Sequence, residues 1–491
     1  MVGVKGTGMT ALAELLRAAG AAVRGSDVSE RFYTDDILEQ IEVGVTDFEV
    51  DSLPAHVDLL IHSAAYDPQT HPQIRALAAR GLEPLVYTAA LGALSRRLPS
   101  IGVAGVHGKT TSTALIGSVI RQAALPATVL AGSAVSNFGG RSTYSGGESF
   151  FVAETCEYRR HFLAFSPRIV MLTSVEADHL DYFRDAEDVH RAFMEYCRRI
   201  SEHGALVYCA DDAGASGVAA ELSEERPDVR VVPYGFSAGH GYRISRSEQA
   251  TDNGVQRFRV SGHVTGAPGM GAAGVSAAEV SAEAATDDFE LRVPGAHNVL
   301  NATGALAVLE TAHAYGLVSG VDTNQLRRAA REAFAGFRGT RRRAEIIGEA
   351  AGVLVMDDYA HHPTAIRSTL AGIKAFYPNR RLVVSFMSHT YSRTASLLDD
   401  FARSFGDADV LILHRIYASA REHYEGGVTG HTLYAHTRNH HPNVIYIEDI
   451  DEAYERLSSI LKEGDLFLTM GAGDNFRIAH RWVQDHGHSG E

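Results

Sequence analysis

Gly105-Val106-His107-Gly108-Lys109-Thr110-Thr111 is the segment whose residue types and spacing are best matched to chemistry. The chain has only four lysines, Lys5, Lys109, Lys374 and Lys462, among 45 basic residues, and one of them stands between a glycine and a threonine. A glycine-flanked turn between a strand and a helix aims backbone N–H groups at a phosphate, and a compact ammonium reaches its β/γ oxygens. Thr110 then offers a hydroxyl to Mg²⁺. The match is to Gly-x-x-Gly-Lys-Thr, since Val103 occupies the place of the first glycine in the longer phosphate-loop motif. The plainer reading is a structural glycine turn. Context favours the phosphate: Ile101-Gly102-Val103-Ala104 reads as a buried strand before the turn, and Thr111 to Ile116 as a helix after it.

Other polar residues sit where apolar strands end, the point at which open α/β sheets collect ligands. Phe150–Ala153 ends in Glu154, an acid placed to hold a phosphate-bound Mg²⁺. Ile169–Val175 runs into Glu176, Asp178 and His179, and Val353–Met356 into Asp357, Asp358, His361, His362 and Pro363. Leu382–Phe386 runs into His389, Thr390 and Arg393, and Leu466–Met470 into Gly471 and Asp474. Each has a second reading. Glu154 also suits a helix-entry charge, His179 a core histidine, His361-His362 a helix start before proline, and Arg393 a surface ion pair. Their co-occurrence with a phosphate loop lifts them as a set. Pro294 to Asn301 opens a helical run at Ala302–Glu310, so His297, Asn298 and Asn301 fall at a helix start where an amide reads a base edge. Arg341-Arg342-Arg343 is either a phosphate clamp or a solvated linker.

The elements that must position these residues alternate apolar runs with helical patterns, the mark of α/β folds with parallel sheets. At 491 residues the chain is too long for one core and divides into about three domains. The boundaries read as 1–98, 99–335 and 336–491, with a Gly/Ala/Ser-rich insertion at 261–288 in the second. The first segment carries a glycine turn at Gly3–Gly8, a helix at Thr10–Ala19, a strand-like Ala21–Arg24 before Ser26-Asp27, and strands at Val57–His62 and Glu83–Val86. This is a Rossmann-like pattern for a nucleotide or its diphosphate. Its first strand is largely missing ahead of Val2. The net charge of −15 argues against nonspecific nucleic-acid binding. Cys156, Cys197 and Cys209 have no metal-ligand spacing and fit a reducing cytoplasm. The N-terminus, with Lys5, Glu14 and Arg17 in its apolar pattern, predicts neither a signal peptide nor a membrane span. The histidines at 480, 486 and 488 read as a solvated tail.

Taken together, these motifs resemble the Mur ligases over nearly the whole chain. Asp357-Asp358-Tyr359-Ala360-His361-His362-Pro363-Thr364 and His389-Thr390-Tyr391-Ser392-Arg393-Thr394 are especially specific, beside the phosphate loop, Glu154 to Tyr158, residues 176–181, His297 to Asn301 and residues 417–422. The resemblance implies three α/β domains: a Rossmann-like N-terminal domain for a UDP-sugar, a central P-loop ATPase-type parallel sheet, and a C-terminal Rossmann-like domain that admits the amino acid. It implies activation of the lactyl carboxylate of UDP-N-acetylmuramate by ATP as an acyl phosphate, then attack by the amine of L-alanine, in peptidoglycan synthesis in the cytoplasm by a monomer or homodimer. No membrane or nucleic-acid partner is implied.

Carried over residue by residue, the resemblance assigns catalysis to Lys109, Glu154, His179, Asp358, His361 and Arg393, and metal to Thr110, Glu154 and His179, with two Mg²⁺ sites that also suit Mn²⁺. ATP falls to Gly105, His107, Gly108, Lys109, Thr110, Thr111, His297, Asn298, Asn301 and Arg342. The substrates fall to Gly6, Gly8, Met9, Ser26, Asp27, Ser63, Glu157 and His389. Family members that add later amino acids are similar in using a carbamylated lysine downstream of the histidine. No lysine lies between Lys109 and Lys374 here, and Phe193-Met194-Glu195-Tyr196 fills that region, which fits the alanine-adding branch. The competing reading is a ligase that joins a preformed tripeptide to the same UDP-sugar, and a non-catalytic nucleotide-binding regulator stands behind it. Lys5 in the glycine turn, and Thr390 where some members have a second arginine, depart from the pattern. Cys156 reads as a buried thiol with no nucleophilic part to play.

Overall fold

The computed structural model describes residues 1–178, 182–248, 254–262, 264, 286–418 and 426–487. Three sheets divide the chain. The N-terminal sheet is parallel and its middle position is a single residue: Val2 bridges Ser26 on one side and His62 on the other. Gly25–Ser26 pairs outward with Val45–Thr46, and Leu60–His62 with Pro84–Val86. The helix Thr7–Ala18 begins three residues before its expected start, because Gly6 already serves as its N-cap. The strand expected at Ala21–Arg24 forms instead at Gly25–Ser26, where Val2 is available to pair.

The central sheet has ten strands. Its interior strand Ser100–Ala104 is buried at every position and lies between Phe150–Glu154 and Ile169–Leu172, both parallel to it. Successive chain segments leave this strand in opposite directions across the sheet, so the loop after Ala104 stands at a topological switch point. The sheet is not wholly parallel as expected. Arg141–Ser145 closes one edge antiparallel to Ala127–Val135, and Tyr242–Glu248, Gln256–Ser261 and Thr286–Leu291 form an antiparallel meander at the other. Antiparallel neighbours need no crossover, whereas parallel pairing does. Residues 286–288, assigned to the insertion, therefore belong to a strand, and the rest of that insertion lies almost entirely outside the described residues.

The C-terminal sheet runs Glu345–Ala350, Val353–Asp358, Leu466–Gly471, Leu382–Met387, Val410–Leu413, Val444–Tyr446, all parallel save the first pair. Val353–Asp358, Leu466–Gly471 and Leu382–Met387 are buried throughout, with separate apolar cores on the two faces. Phe476–His486 is an amphipathic helix burying Ile478, Ala479 and Trp482, so His480 and His486 are not a solvated tail; residue 488 lies outside the described residues. Among the described residues no helix is long and apolar enough to cross a membrane.

Three helices hold the phosphate loop in place. Lys109–Gln122, buried from Thr110 to Ile120, packs against Ala296–Ala314 and Thr323–Ala335. Their outer end is locked by Arg327, 1% exposed, whose guanidinium meets Glu310 at 2.6 Å and Asp287 at 2.9 Å, while Tyr242 donates to Glu310 at 2.7 Å. A buried carboxylate deprived of its cation loses far more than a surface one. Arg327→Met is therefore expected to lower stability by about 3–5 kcal/mol, seen as a fall in the denaturant midpoint, and adding Glu310→Leu is expected to recover part of the loss. An unchanged midpoint in Arg327→Met would show that the network carries no stability.

Candidate active site

The phosphate loop is built on glycine. Gly105 (φ +134°) and Gly108 (φ +81°) adopt backbone that L side chains rarely take, and a Cβ on Gly108 would stand 2.6 Å from Asn301 Oδ1. The first backbone bond of the helix is Ser112 N–H to Gly108 O, so the amides of Lys109, Thr110 and Thr111 are not used within it. These N–H groups, the helix dipole and the Lys109 ammonium make an anion cradle that fits a nucleotide's phosphates. Ser174 anchors the loop from the neighbouring strand's end, accepting the His107 N–H on Oγ at 2.9 Å and the Val106 N–H on its carbonyl at 3.0 Å.

Lys109 is folded onto its own loop. Nζ donates to the Gly105 carbonyl at 2.5 Å and to both oxygens of Glu157, at 3.2 and 2.9 Å. The two side chains are 12% and 3% exposed. Burial alone pulls the Lys109 pKa down, but the negative charge around it, chiefly Glu157, prevails and holds it above the ordinary value. Glu157, assigned to substrate, is thus in contact with the ammonium itself. Glu154 ends the strand beside the loop and accepts the Gly132 N–H at 2.8 Å; a Cβ on Gly132 would come within 2.2 Å of that carboxylate. An oxygen ligand there, with Thr110 on the first turn of the helix, suits Mg²⁺. Glu154 lines a cavity of about 190 Å³ that also touches Gly8 and Tyr87 of the N-terminal domain. Cys156 lines it as well and is exposed, not buried, because it lies on the connection after the strand.

A second cavity, about 270 Å³, lies between the central and C-terminal domains. His107, Gly108, Thr110, Thr111, His297, Asn298 and Asn301 line it from one side, and Arg343, Asp358, Thr364 and Ser368 from the other. The helix here starts at Ala296, not Ala302, so the two asparagines lie on its first turns. Asn301 is fixed, accepting from Ser112 Oγ at 3.2 Å and donating to Asn298 Oδ1 at 3.1 Å. His297 shares a hydrogen bond with Ser368 at 2.9 Å across the domain boundary, and burial, with His107 and Arg343 nearby, pushes its pKa down to about 4. Asp358, 5% exposed, accepts the Ala344 and Ala360 N–H groups at 2.7 Å each, and burial raises its pKa.

Arg342 does not line this cavity as expected. Its Nε meets Asp357 at 2.8 Å, its NH2 donates to the Gly471 carbonyl at 2.8 Å, and the guanidinium lies over the Tyr359 and Phe476 rings. A buried carboxylate captures it, and Arg343 takes the cavity wall instead. Sequence reasoning named the cluster but had no signal for which arginine Asp357 would claim.

Arg393 crosses to the central domain and pairs with Asp178 at 2.9 Å, the side chains 10% and 7% exposed. It is no surface pair. It also meets His389 Nδ1 at 3.2 Å, and the His361 and His389 ring centroids are 6.0 Å apart, so Asp178, His361, His389 and Arg393 form one group. His361 Nδ1 bonds the Tyr359 carbonyl at 2.8 Å, which turns Nε2 outward as the unprotonated nitrogen. Burial, then Arg393, keeps its pKa well below the ordinary value. Glu176, His362 and Thr364 also meet at this boundary, a contact the sequence did not reveal, since it joins residues of two domains. His179 lies outside the described residues, as do residues 180–181 and 419–425.

The N-terminal turn is held by its own acids. Asp27 accepts the Lys5 and Val28 N–H groups at 2.7 and 2.8 Å, and Ser26 Oγ bonds Gln73 at 2.5 Å. Lys5 Nζ is drawn to the Glu30 carbonyl at 2.7 Å and Asp35 at 3.0 Å. Ser63 pairs with Val2 and abuts Gly3, where a Cβ would stand 2.8 Å from its own. Met9 is 3% exposed and belongs to the local core with Leu12, Ile61 and Ala90. Gly6, with no atom closer than 3.6 Å to a Cβ, leaves open approach to the turn.

Comparison with known proteins places this geometry. Residues 1–98 match the family model for the Mur ligase family catalytic domain, 103–309 the Mur ligase middle domain, and 342–473 the Mur ligase glutamate ligase domain. The UDP-N-acetylmuramate–L-alanine ligase of Treponema pallidum (strain Nichols) is 48% identical over 97% of this chain and 94% of its own length. That of Desulfitobacterium hafniense is 36% identical over 98% of each. The crystal structure of the UDP-N-acetylmuramate–alanine ligase of Thermotoga maritima shares the fold with a TM-score of 0.76, at 24% identity over 99% of this chain and 97% of that one. The murein peptide ligase of Psychrobacter arcticus shares it at 0.66, with 24% identity over 100% and 98%. The chain belongs to the Mur ligase family.

Proposed function

We propose that this protein is the ATP-dependent ligase that joins L-alanine to the lactyl carboxylate of UDP-N-acetylmuramate in peptidoglycan synthesis. The observation that supports the reading is that the phosphate loop and Asp358 face one cavity across the boundary of the central and C-terminal domains, with Arg393 reaching Asp178 over the same boundary and Glu154 facing the N-terminal domain in a cavity of its own. The substrate carboxylate takes the γ-phosphoryl group of ATP, releasing ADP, and the amine of L-alanine then displaces phosphate to leave an amide. Activation is required because a free carboxylate resists attack by an amine.

In this reading the loop amides and Lys109 hold the β/γ-phosphates, and Lys109 exchanges part of its contact with Glu157 for phosphate oxygen. Mg²⁺, held by Thr110 and Glu154, with His179 assigned to a second ion, would neutralise charge on the transferred group. His297, Asn298, Asn301 and Asp358 border the nucleoside end, with Arg343 replacing Arg342 beside the phosphates. Arg393 and His389 orient the amino acid through its carboxylate, and His361 presents a neutral imidazole beside them. The glycine turn at Gly6 and Gly8, with Ser26, Asp27 and Ser63 supporting it, receives the UDP-sugar diphosphate. Domains at 1–98, 99–335 and 336–491 divide this work. These substrates place the enzyme in the cytoplasm, and three free cysteines agree with that.

Purified protein is expected to release phosphate from ATP only when UDP-N-acetylmuramate and L-alanine are both present; release with the tripeptide and none with L-alanine would reassign it to peptide recycling. Lys109→Ala is expected to fold normally and lose at least ~10²-fold in turnover, the scale of one preorganised charge-stabilising donor. Near-normal turnover would refute its assignment. Glu154→Gln is expected to shift the Mg²⁺ titration to higher concentration, and an unchanged titration would remove Glu154 from the metal site.

A further inference from the structure

At the boundary between the central and C-terminal domains, His107, Glu176 and His362 turn one ligand atom each toward a common point, all within 4.8 Å of one another. His107 belongs to the phosphate loop, Glu176 follows the strand Ile169–Leu172, and His362 caps the C-terminal helix Pro363–Phe376. His107 Nε2 touches Glu176 Oε1, and His362 Nδ1 lies 3.9 Å from the same oxygen. The two imidazole centroids are 5.4 Å apart.

We propose that these three residues form a transition-metal site, of the kind that takes Zn²⁺, which bridges the two domains and holds them closed. Two imidazoles and one carboxylate are a recognised zinc set, and imidazole selects such metals over Mg²⁺. The site is therefore chemically distinct from the oxygen site at Thr110 and Glu154. His362 has a side chain only 8% exposed, and its Nε2 has no hydrogen-bond partner among the described residues. His107 Nε2 and Glu176 Oε1 likewise form no well-aligned hydrogen bond there, despite their contact. His362 Nδ1 already accepts the Thr364 N–H, so Nε2 is the nitrogen left for an ion, and a buried ring nitrogen without a partner beside an imidazole–carboxylate contact is costly unless something occupies the site.

The supporting groups are in place. Thr364 donates its hydroxyl to Glu176 Oε2 at 3.1 Å, which fixes the carboxylate with Oε1 toward the imidazoles, and Ser174 holds the His107 backbone. Bonds of about 2.0–2.2 Å set tetrahedral ligands roughly 3.3 Å apart. An ion would widen the His107–Glu176 contact and draw His362 inward, shifts within side-chain reach. Because two ligands come from the central domain and one from the C-terminal domain, binding favours the closed arrangement by mass action.

The test uses the full-length, nucleotide-free protein with Zn²⁺ or Co²⁺ alone. Equilibrium dialysis should find one tight Zn²⁺ per chain, Co²⁺ should develop the visible absorption of a low-coordinate site, and Zn²⁺ should reduce the radius of gyration in solution scattering. Glu176→Gln and His362→Asn, the latter keeping an N-cap side chain, should each weaken binding at least ~10-fold and abolish both signals. Circular dichroism would verify their folding, and either variant alone suffices. Binding that is absent, or equal in wild type and a folded variant, overturns the site; binding without compaction overturns the bridge.

Discussion

One buried cation facing several anions organises this molecule. Lys109 must stay charged with little solvent around it, and Glu157 at 2.9 Å makes that possible. The pair lies beside Glu154, in a chain of net charge −15, at the place where the proposed reaction brings phosphates and a carboxylate together. Long-range electrostatics does not favour anion binding to such a chain. A local device has to do so, and a helix N-terminus with an ammonium laid across it is the densest positive feature a backbone can make. The tight sterics follow from the same need. Gly108 admits Asn301, and Gly132 admits Glu154, at separations no side chain would permit.

The proposed chemistry depends on three domains arriving together; Ala11, Leu15 and Leu91 of the first join the apolar core of the second, and both boundaries also carry polar contacts. Glu14, buried on the first helix, takes hydrogen bonds from Ser142 and Thr143 on the edge strand of the central sheet. On the other side, Asp178–Arg393, Glu176–Thr364 and His297–Ser368 join the central and C-terminal domains. A boundary joined by polar contacts, as on this second side, separates at less cost than an apolar one, which suits a site that has to admit a nucleotide. Arg393 is instructive because its partner across the boundary is a carboxylate, the group it is proposed to bind in the amino acid.

Much of the architecture was legible in the sequence. Apolar runs located Ser100–Ala104, Phe150–Glu154, Ile169–Leu172 and the buried strands of the C-terminal sheet to within a few residues, since a strand covered on both faces has no room for polar residues, whereas Ala127–Val135 and Ala205–Cys209 were not read. Edges and short elements were less legible. Gly25–Ser26 and the one-residue bridge at Val2 carry too few residues for a period, and the alternation along Gln256–Ser261 and Thr286–Leu291 does not by itself tell parallel from antiparallel pairing. In the site, the phosphate loop could be read because its chemistry is contiguous. The choice between Arg342 and Arg343 could not, because it turns on which side chain Asp357 captures.

The sequence by itself determined which residues stand at strand ends and which short segments gather residue types suited to phosphate and metal chemistry, because those depend on neighbours along the chain. The tertiary structure alone decided partners: Glu157 against Lys109, Asp178 against Arg393, and Glu176 between His107 and His362. Asp178 and Arg393 are 215 residues apart in the chain. No local pattern encodes such a meeting; it arises when separately folded sheets dock and their unsatisfied charges find one another.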